Sequence, residues 1–167
     1  AKRERLYKKN FIFWVALLVF FSSFYVFVSE IRIPVELRVV FTDVGQGDGT
    51  VIIFPDKKAL IIDCGDENSG YYGIKNVLDY YKAIPRYYII THFHLDHFGG
   101  MRKLINNYGG DVIFYPVGTL PDARGGLKTL NKYSKNEHEQ MQSLKIAAEN
   151  LEIEMREIMG GDELIFD

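Results

Sequence analysis

Residues 91–100 read THFHLDHFGG, and three of the chain's four histidines, His92, His94 and His97, fall within six residues, with Asp96 beside the last. Side chains two apart in extended backbone leave on the same side, so His92 and His94 present paired imidazoles. Asp96 and His97 are adjacent and diverge unless the backbone turns, which suits a second ion beside a first. Imidazole nitrogen and carboxylate oxygen suit zinc, manganese or iron, and a metal site with open positions activates water. A lone histidine in a loop would carry no such meaning, whereas four donors spaced His-x-His-x-Asp-His at a strand end do. Cys64 is the only cysteine, which excludes an internal disulfide and a cysteine-rich zinc site. It reads as a small buried residue rather than a ligand.

The elements that must position these donors alternate between strand and helix. Arg38–Asp43 and Thr50–Phe54 are β-branched runs separated by a glycine-rich loop. Ala59–Asp63 follows the turn Pro55-Asp56-Lys57-Lys58, so the last two runs form a hairpin. Ile74–Lys82 places Ile74, Val77, Leu78 and Tyr81 on one helical face. Pro85 imposes an extended entry to the strand Tyr87–Thr91, which delivers the histidines. A short helix around Gly100–Asn107, a strand at Asp111–Tyr115 and a loop over Asp122–Tyr133 follow. A helix at Glu137–Asn150 comes next, then strands at Leu151–Ile158 and from Leu164 onward. This order predicts a layered α/β domain.

The N-terminal part has a different composition. Phe11–Val28 is an 18-residue run without charge, and eight of the chain's 24 aromatic residues lie between Phe11 and Phe27. As a helix it would cover about 27 Å, close to the hydrocarbon thickness of a bilayer. Lys2, Arg3, Arg5, Lys8 and Lys9 precede it against Glu4 alone. That asymmetry predicts a single-pass anchor with the N-terminus cytoplasmic and the rest outside the cell. No pair of small residues marks a signal-peptidase site, and no amphipathic period marks a helix of a soluble core. The expected organisation is a basic cytoplasmic tail at 1–10, a transmembrane helix at 11–28, a linker at 29–36 and a domain at 37–167. The net charge of −2 separates into a +4 tail, from five basic and one acidic side chains, and a −6 remainder, from fifteen basic and twenty-one acidic.

His-x-His-x-Asp-His followed by Gly-Gly resembles the signature of the metallo-β-lactamase superfamily. Upstream, Ile62-Asp63-Cys64-Gly65 and the run FTDVGQGD, ending at Asp48, resemble the metallo-β-lactamase-like domain of ComEC-type DNA-uptake competence proteins. In those proteins the domain also follows a transmembrane segment. The resemblance covers about residues 37–167 and implies the first half of an αββα sandwich. It further implies two divalent ions, zinc or manganese, with His92 and His94 on the first and Asp96 and His97 on the second. Asp96 would also orient the attacking water, a hydroxide shared by the ions. Asp63 corresponds to a residue that supports the histidine loop from behind, although a turn-capping role would equally explain it. Asp48 lies in a loop whose glycines permit close approach to a ligand, or simply a tight strand connection. The superfamily completes its site with a further His, an Asp and a final His, and none of these is visible here. His138 comes too early in the chain and sits at a solvated helix start. The chain therefore reads as the first part of the domain, weak or inactive by itself.

Three functions follow. The first is a membrane-anchored, metal-dependent phosphodiesterase or nuclease of ComEC type, with the bilayer, DNA and a larger competence transporter as partners. The −6 portion lacks the basic groove DNA binding normally uses, although Arg102, Lys103, Arg124 and Lys128 could form a local patch. The second keeps the hydrolase and changes the substrate to a thioester or other ester, a lactone or a lactam. The third is a truncated, non-catalytic interaction module tethered to the membrane.

Overall fold

The computed structural model describes residues 2–30, 36–119 and 133–166. The chain divides into two compact units, Ala1–Pro34 and Val35–Asp167. The first holds one continuous helix, α1 (Lys2–Glu30), which joins the basic tail and the apolar run in a single element. Most of its described apolar side chains, among them Trp14, Leu18, Phe20 and Phe24, are exposed. Among the described residues, no helix is long and apolar enough to cross a membrane.

The second unit is built on one six-stranded sheet in the order β1 (Arg38–Phe41), β2 (Gly49–Ile53), β3 (Lys58–Cys64), β4 (Ile84–Ile89), β5 (Val112–Pro116) and β6 (Glu154–Ile158). β1, β2 and β3 pair antiparallel, whereas β3 to β6 run parallel. The parallel steps are bridged by α2 (Ser69–Tyr81), by α3 (Leu95–Phe98) with α4 (Met101–Tyr108), and by α5 (Lys135–Asn150). The register aligns Val51, Ile61, Tyr88 and Ile113 on one face of the sheet. These pack into a single core with Ile74 and Leu78 of α2, Leu104 and Ile105 of α4, and Met141 and Leu144 of α5.

The opposite face is also apolar. Val39, Ile52, Leu60, Tyr87 and Val112 form one cross-strand row, and Phe41, Thr50, Ile62, Ile89 and Phe114 the next. Residues near the C-terminus cover part of it, with the Phe166 ring 4.7 Å from that of Tyr87 and 5.8 Å from that of Phe54. At the β1 edge the face is open, and Phe41 is 84% exposed. A sheet apolar on both faces is what a layered sandwich requires.

Several element boundaries differ from expectation. α2 begins at Ser69 rather than Ile74, because the Asp66 carboxylate caps it, accepting from the amides of Asn68 and Ser69. α5 begins at Lys135, fixed by a reciprocal capping box between Ser134 and Glu137. β4 includes Pro85, and the register with β3 slips beside it, where the ring cannot donate to the ladder. β6 begins at Glu154 rather than Leu151, since the chain leaves α5 through a left-handed Glu152. Leu164–Phe166 is not a strand; its aromatic ring serves the sheet face instead. The loop expected over Asp122–Tyr133, and Arg124 and Lys128 with it, lies outside the described residues apart from Tyr133.

Candidate metal centre

Parallel pairing of β3 with β4 sets their carboxyl ends side by side, where open α/β sheets carry their ligand sites. Asp63 sits at the end of β3 and residues 90–97 follow β4. Asp63 is the one buried charged residue described, 2% exposed, and it holds a left-handed backbone (φ 51°). Non-glycine residues take that conformation at a cost, and Asp and Asn tolerate it best. Its Oδ1 accepts from the Thr91 amide at 2.8 Å. Its Oδ2 faces the Thr91 hydroxyl at 2.5 Å and Nδ1 of His97 at 2.9 Å. The carboxylate thus pins both ends of the histidine loop, and the turn-capping alternative does not describe it.

The histidine loop starts extended, as the spacing requires, with His94 at φ −92° and ψ 143°. It then turns into the four-residue α3, too short to leave a periodic signal in the sequence. That turn brings His97 back over His92, with ring centroids 3.9 Å apart, while the His92 and His94 rings lie 4.9 Å apart. Asp63, His92 and His97 each offer a ligand atom within 4.8 Å of the others. His94 and Asp96 fall outside this tight group. The His94 ring stands edge-on to buried Tyr133 at 5.5 Å, and Asp96 is half-buried at the start of α3.

Loop 43–49 closes over the same place. Gly47 has φ 92°, and a Cβ there would overlap the Asp96 carbonyl oxygen, so only glycine permits the approach. Asp48, with a side chain 79% exposed, reaches to 3.8 Å from His97 Nδ1. Gly99 also meets the loop after β3 closely, since a Cβ would crowd Glu67 N at 2.9 Å. Beside α3 lies a cavity of about 260 Å³ lined by Asp66, Glu67, Asn68, Leu95, Gly99, Asn136 and Gln140.

The donor set fits a divalent ion. Burial, and then the neighbouring His97 and His94, hold the His92 imidazole below its usual pKa, which favours the neutral ring that can ligate. The His94 and His97 rings and the Asp63 carboxylate stand beside it. His138 does not join them: its Nδ1 is 2.8 Å from the Ser134 carbonyl and its ring lies 6.3 Å from that of Tyr133. Cys64 is fully buried, and burial, then the Asp63 charge, push its thiol well above the usual range. Thr91 and Tyr133 are the contacts the sequence left unassigned; the position of Thr91 directly before the first histidine was the available signal. Of the basic patch, Arg102 and Lys103 lie 3.6 and 3.5 Å from the Glu67 carboxylate, and Lys103 also donates to Asn68 Oδ1 at 2.8 Å.

Comparison with known proteins bears on this geometry. The sequence profile of the metallo-beta-lactamase superfamily matches residues 42–149. The hydroxyacylglutathione hydrolase of Buchnera aphidicola subsp. Baizongia pistaciae is 31% identical over 103 residues, 57% of this chain and 40% of that protein. The chain thus spans well under half the length of that relative. The BLEG-1 B3 metallo-beta-lactamase is similar at TM-score 0.38 and 19% identity, over 47% of this chain and 36% of that one. A HARLDQ-motif mutant of the Cronobacter sakazakii metallo-beta-lactamase is similar at TM-score 0.38 and 23% identity, over 47% and 30%.

Proposed function

This chain belongs to the metallo-beta-lactamase superfamily, and on that premise we propose that it forms the metal-binding side of a hydrolase acting on phosphodiesters. The ions would be held by His92, His94, Asp96 and His97, with Asp63 behind them. Divalent ions in such a site supply Lewis acidity and lower the pKa of water toward neutrality. The residues of this chain would orient the donors, and Asp96 would direct the attacking water, as the resemblance implies. The observation that carries the phosphodiester reading is the contact of loop 43–49 with the histidine loop, because this is the segment that resembles ComEC-type proteins. Gly47 lies against the Asp96 carbonyl, and Asp48 faces His97. The same resemblance supports DNA as substrate, a competence transporter as the larger context and a membrane location. The uncharged run 11–28 and the basic tail before it support the anchor, with the N-terminus inside and the domain outside.

A second reading is favoured by one specific observation, the identity to a hydroxyacylglutathione hydrolase. It keeps the metal site and makes the substrate a thioester, with esters, lactones and lactams of the same chemical class.

The intact protein, loaded with zinc or manganese, separates these readings. Phosphodiester turnover, with bis(p-nitrophenyl) phosphate and linear DNA as substrates, is expected and should be abolished by His92→Ala and Asp96→Ala. Hydrolysis of hydroxyacylglutathione without phosphodiester turnover would replace the first reading with the second. Stoichiometric metal binding with no turnover of any of these would leave the non-catalytic module.

A further inference from the structure

Thr91 stands directly before the first imidazole of the cluster and bonds to either side of it. Its hydroxyl lies 2.5 Å from Oδ2 of Asp63 and 3.1 Å from Nδ1 of His92. Its amide donates separately to Oδ1 of Asp63 at 2.8 Å. A hydroxyl carries one proton and two lone pairs, whereas a carboxylate can only accept. The shorter contact, to the buried carboxylate, therefore takes the Thr91 proton. What the hydroxyl presents to His92 is then a lone pair, and the hydrogen bond between them requires Nδ1 of His92 to be the donor. In the neutral ring this leaves the free lone pair on Nε2. His97 is set in the same way without an intermediary, since its own Nδ1 faces Asp63 Oδ2 at 2.9 Å.

We infer that Thr91 is a positioning residue that relays the Asp63 carboxylate to His92, so that a single buried carboxylate sets the tautomer of two imidazoles. Both rings then expose Nε2, and the two hydrogen bonds also fix the planes in which those lone pairs point. Ligating histidines commonly have the second nitrogen tied to a carboxylate or carbonyl; here one carboxylate serves two rings because a hydroxyl extends its reach. The value of this arrangement to a metal rests on the cluster being a metal site. The tautomers themselves are properties of the metal-free protein.

The test is long-range proton–nitrogen correlation NMR on metal-free intact protein labelled with 15N-histidine, which reads the tautomer of each ring. Chelator competition with zinc is measured alongside it. The unsubstituted protein should show Nδ1–H at both His92 and His97. Thr91→Val removes the hydroxyl but keeps shape and amide; His92 should lose its Nδ1–H preference while His97 retains it. Zinc affinity should fall by about 10- to 100-fold. Thr91→Ser, which keeps the hydroxyl, should restore both. A merely structural role would lower stability without moving the His92 nitrogen shifts. The inference is overturned if His92 carries Nε2–H in the unsubstituted protein, or if Thr91→Val leaves its tautomer unchanged. It is likewise overturned if Thr91→Ser shifts the ring as valine does. Correct tautomers without zinc binding would instead count against the metal-site reading and leave the relay standing.

Discussion

Replacing Asp63 by asparagine keeps size, shape and tolerance of the left-handed backbone (φ 51°), and changes only what the side chain can accept. The amide oxygen can still take the Thr91 N–H that Asp63 Oδ1 holds at 2.8 Å. The amide nitrogen would then replace Oδ2 and point a donor at two groups that are themselves donors, the Thr91 hydroxyl and His97 Nδ1. The hydroxyl can rotate to accept. His97 can accept only by moving its proton to Nε2, the nitrogen a metal needs. Two charge-assisted bonds, each worth about 1.5–3 kcal/mol, become two neutral ones of about 0.5–1.5 kcal/mol. Relief from burying a charge offsets part of that, so the loss of stability should be about 2 kcal/mol. Asp63→Ala also leaves the Thr91 amide without its partner and places alanine at positive φ, so it should lose more, about 3–4 kcal/mol. Urea unfolding of metal-free protein measures both. The zinc affinity of Asp63→Asn, by chelator competition, should fall about 10- to 100-fold, beyond anything its folding equilibrium explains. Asparagine binding zinc within twofold of the unsubstituted protein, at the reduced stability, would show that Asp63 merely holds the loop and would refute the argument.

Gly47→Ala should weaken zinc binding and cost more than about 1 kcal/mol of stability, because a Cβ at φ 92° overlaps the Asp96 carbonyl; equilibrium dialysis and urea melts check both. Asp66→Ala should cost about 1 kcal/mol through the lost cap of α2. The Ser69 hydroxyl, then the Asn68 amide, hold the Asp66 carboxyl below its usual pKa, so its contribution is full above about pH 4 and lost as pH falls through the folded value. Urea melts from pH 7 to 2 should therefore converge for the two proteins at the acid end. Glu67→Gln releases Arg102 and Lys103 from their shared carboxylate. If DNA docks on this rim, its affinity should rise and the slope of log K against log salt should steepen by about 1–2; an unchanged slope removes that docking site.

The candidate donors stand out in the sequence because residue type and spacing make a short, local pattern. Thr91–Gly100 announces itself by residue type alone, and the extended backbone at His94 agrees with the two-residue spacing. What brings His97 over His92 was not legible, since α3 has four residues and no period to detect. The role of Asp63 was open for a different reason. Turn-capping and support of a distant loop look identical in sequence, and only the parallel pairing of β3 with β4, 28 residues apart at Asp63 and Thr91, decides between them. Boundaries failed wherever side-chain caps set them rather than apolar periodicity, as at Asp66 before α2 and Ser134 before α5. The second apolar sheet face was invisible because strands buried on both sides show no alternation.

Charge then weighs on the choice of substrate. The portion after the apolar run carries −6, and the cavity beside α3 is rimmed by Asp66 and Glu67. Glu67 occupies the two cations placed closest to it, so neither Arg102 nor Lys103 offers an unopposed charge to a phosphate. Glu137 adds to this side: burial alone would raise its pKa, but the Ser134 amide and hydroxyl outweigh it and keep the carboxylate charged. A polyanion approaching along this rim meets repulsion, which is screened over about 10 Å at 0.1 M salt. A phosphodiester taking this route therefore has to be drawn by the centre itself, whereas an uncharged ester or lactone meets no such barrier. Charge on this rim favours the uncharged esters and lactones of the second reading, and the loop that closes on Asp96 and His97 favours the first. The two substrate classes thus respond differently to one carboxylate, since neutralising Glu67 should help DNA and leave an uncharged ester or lactone unaffected.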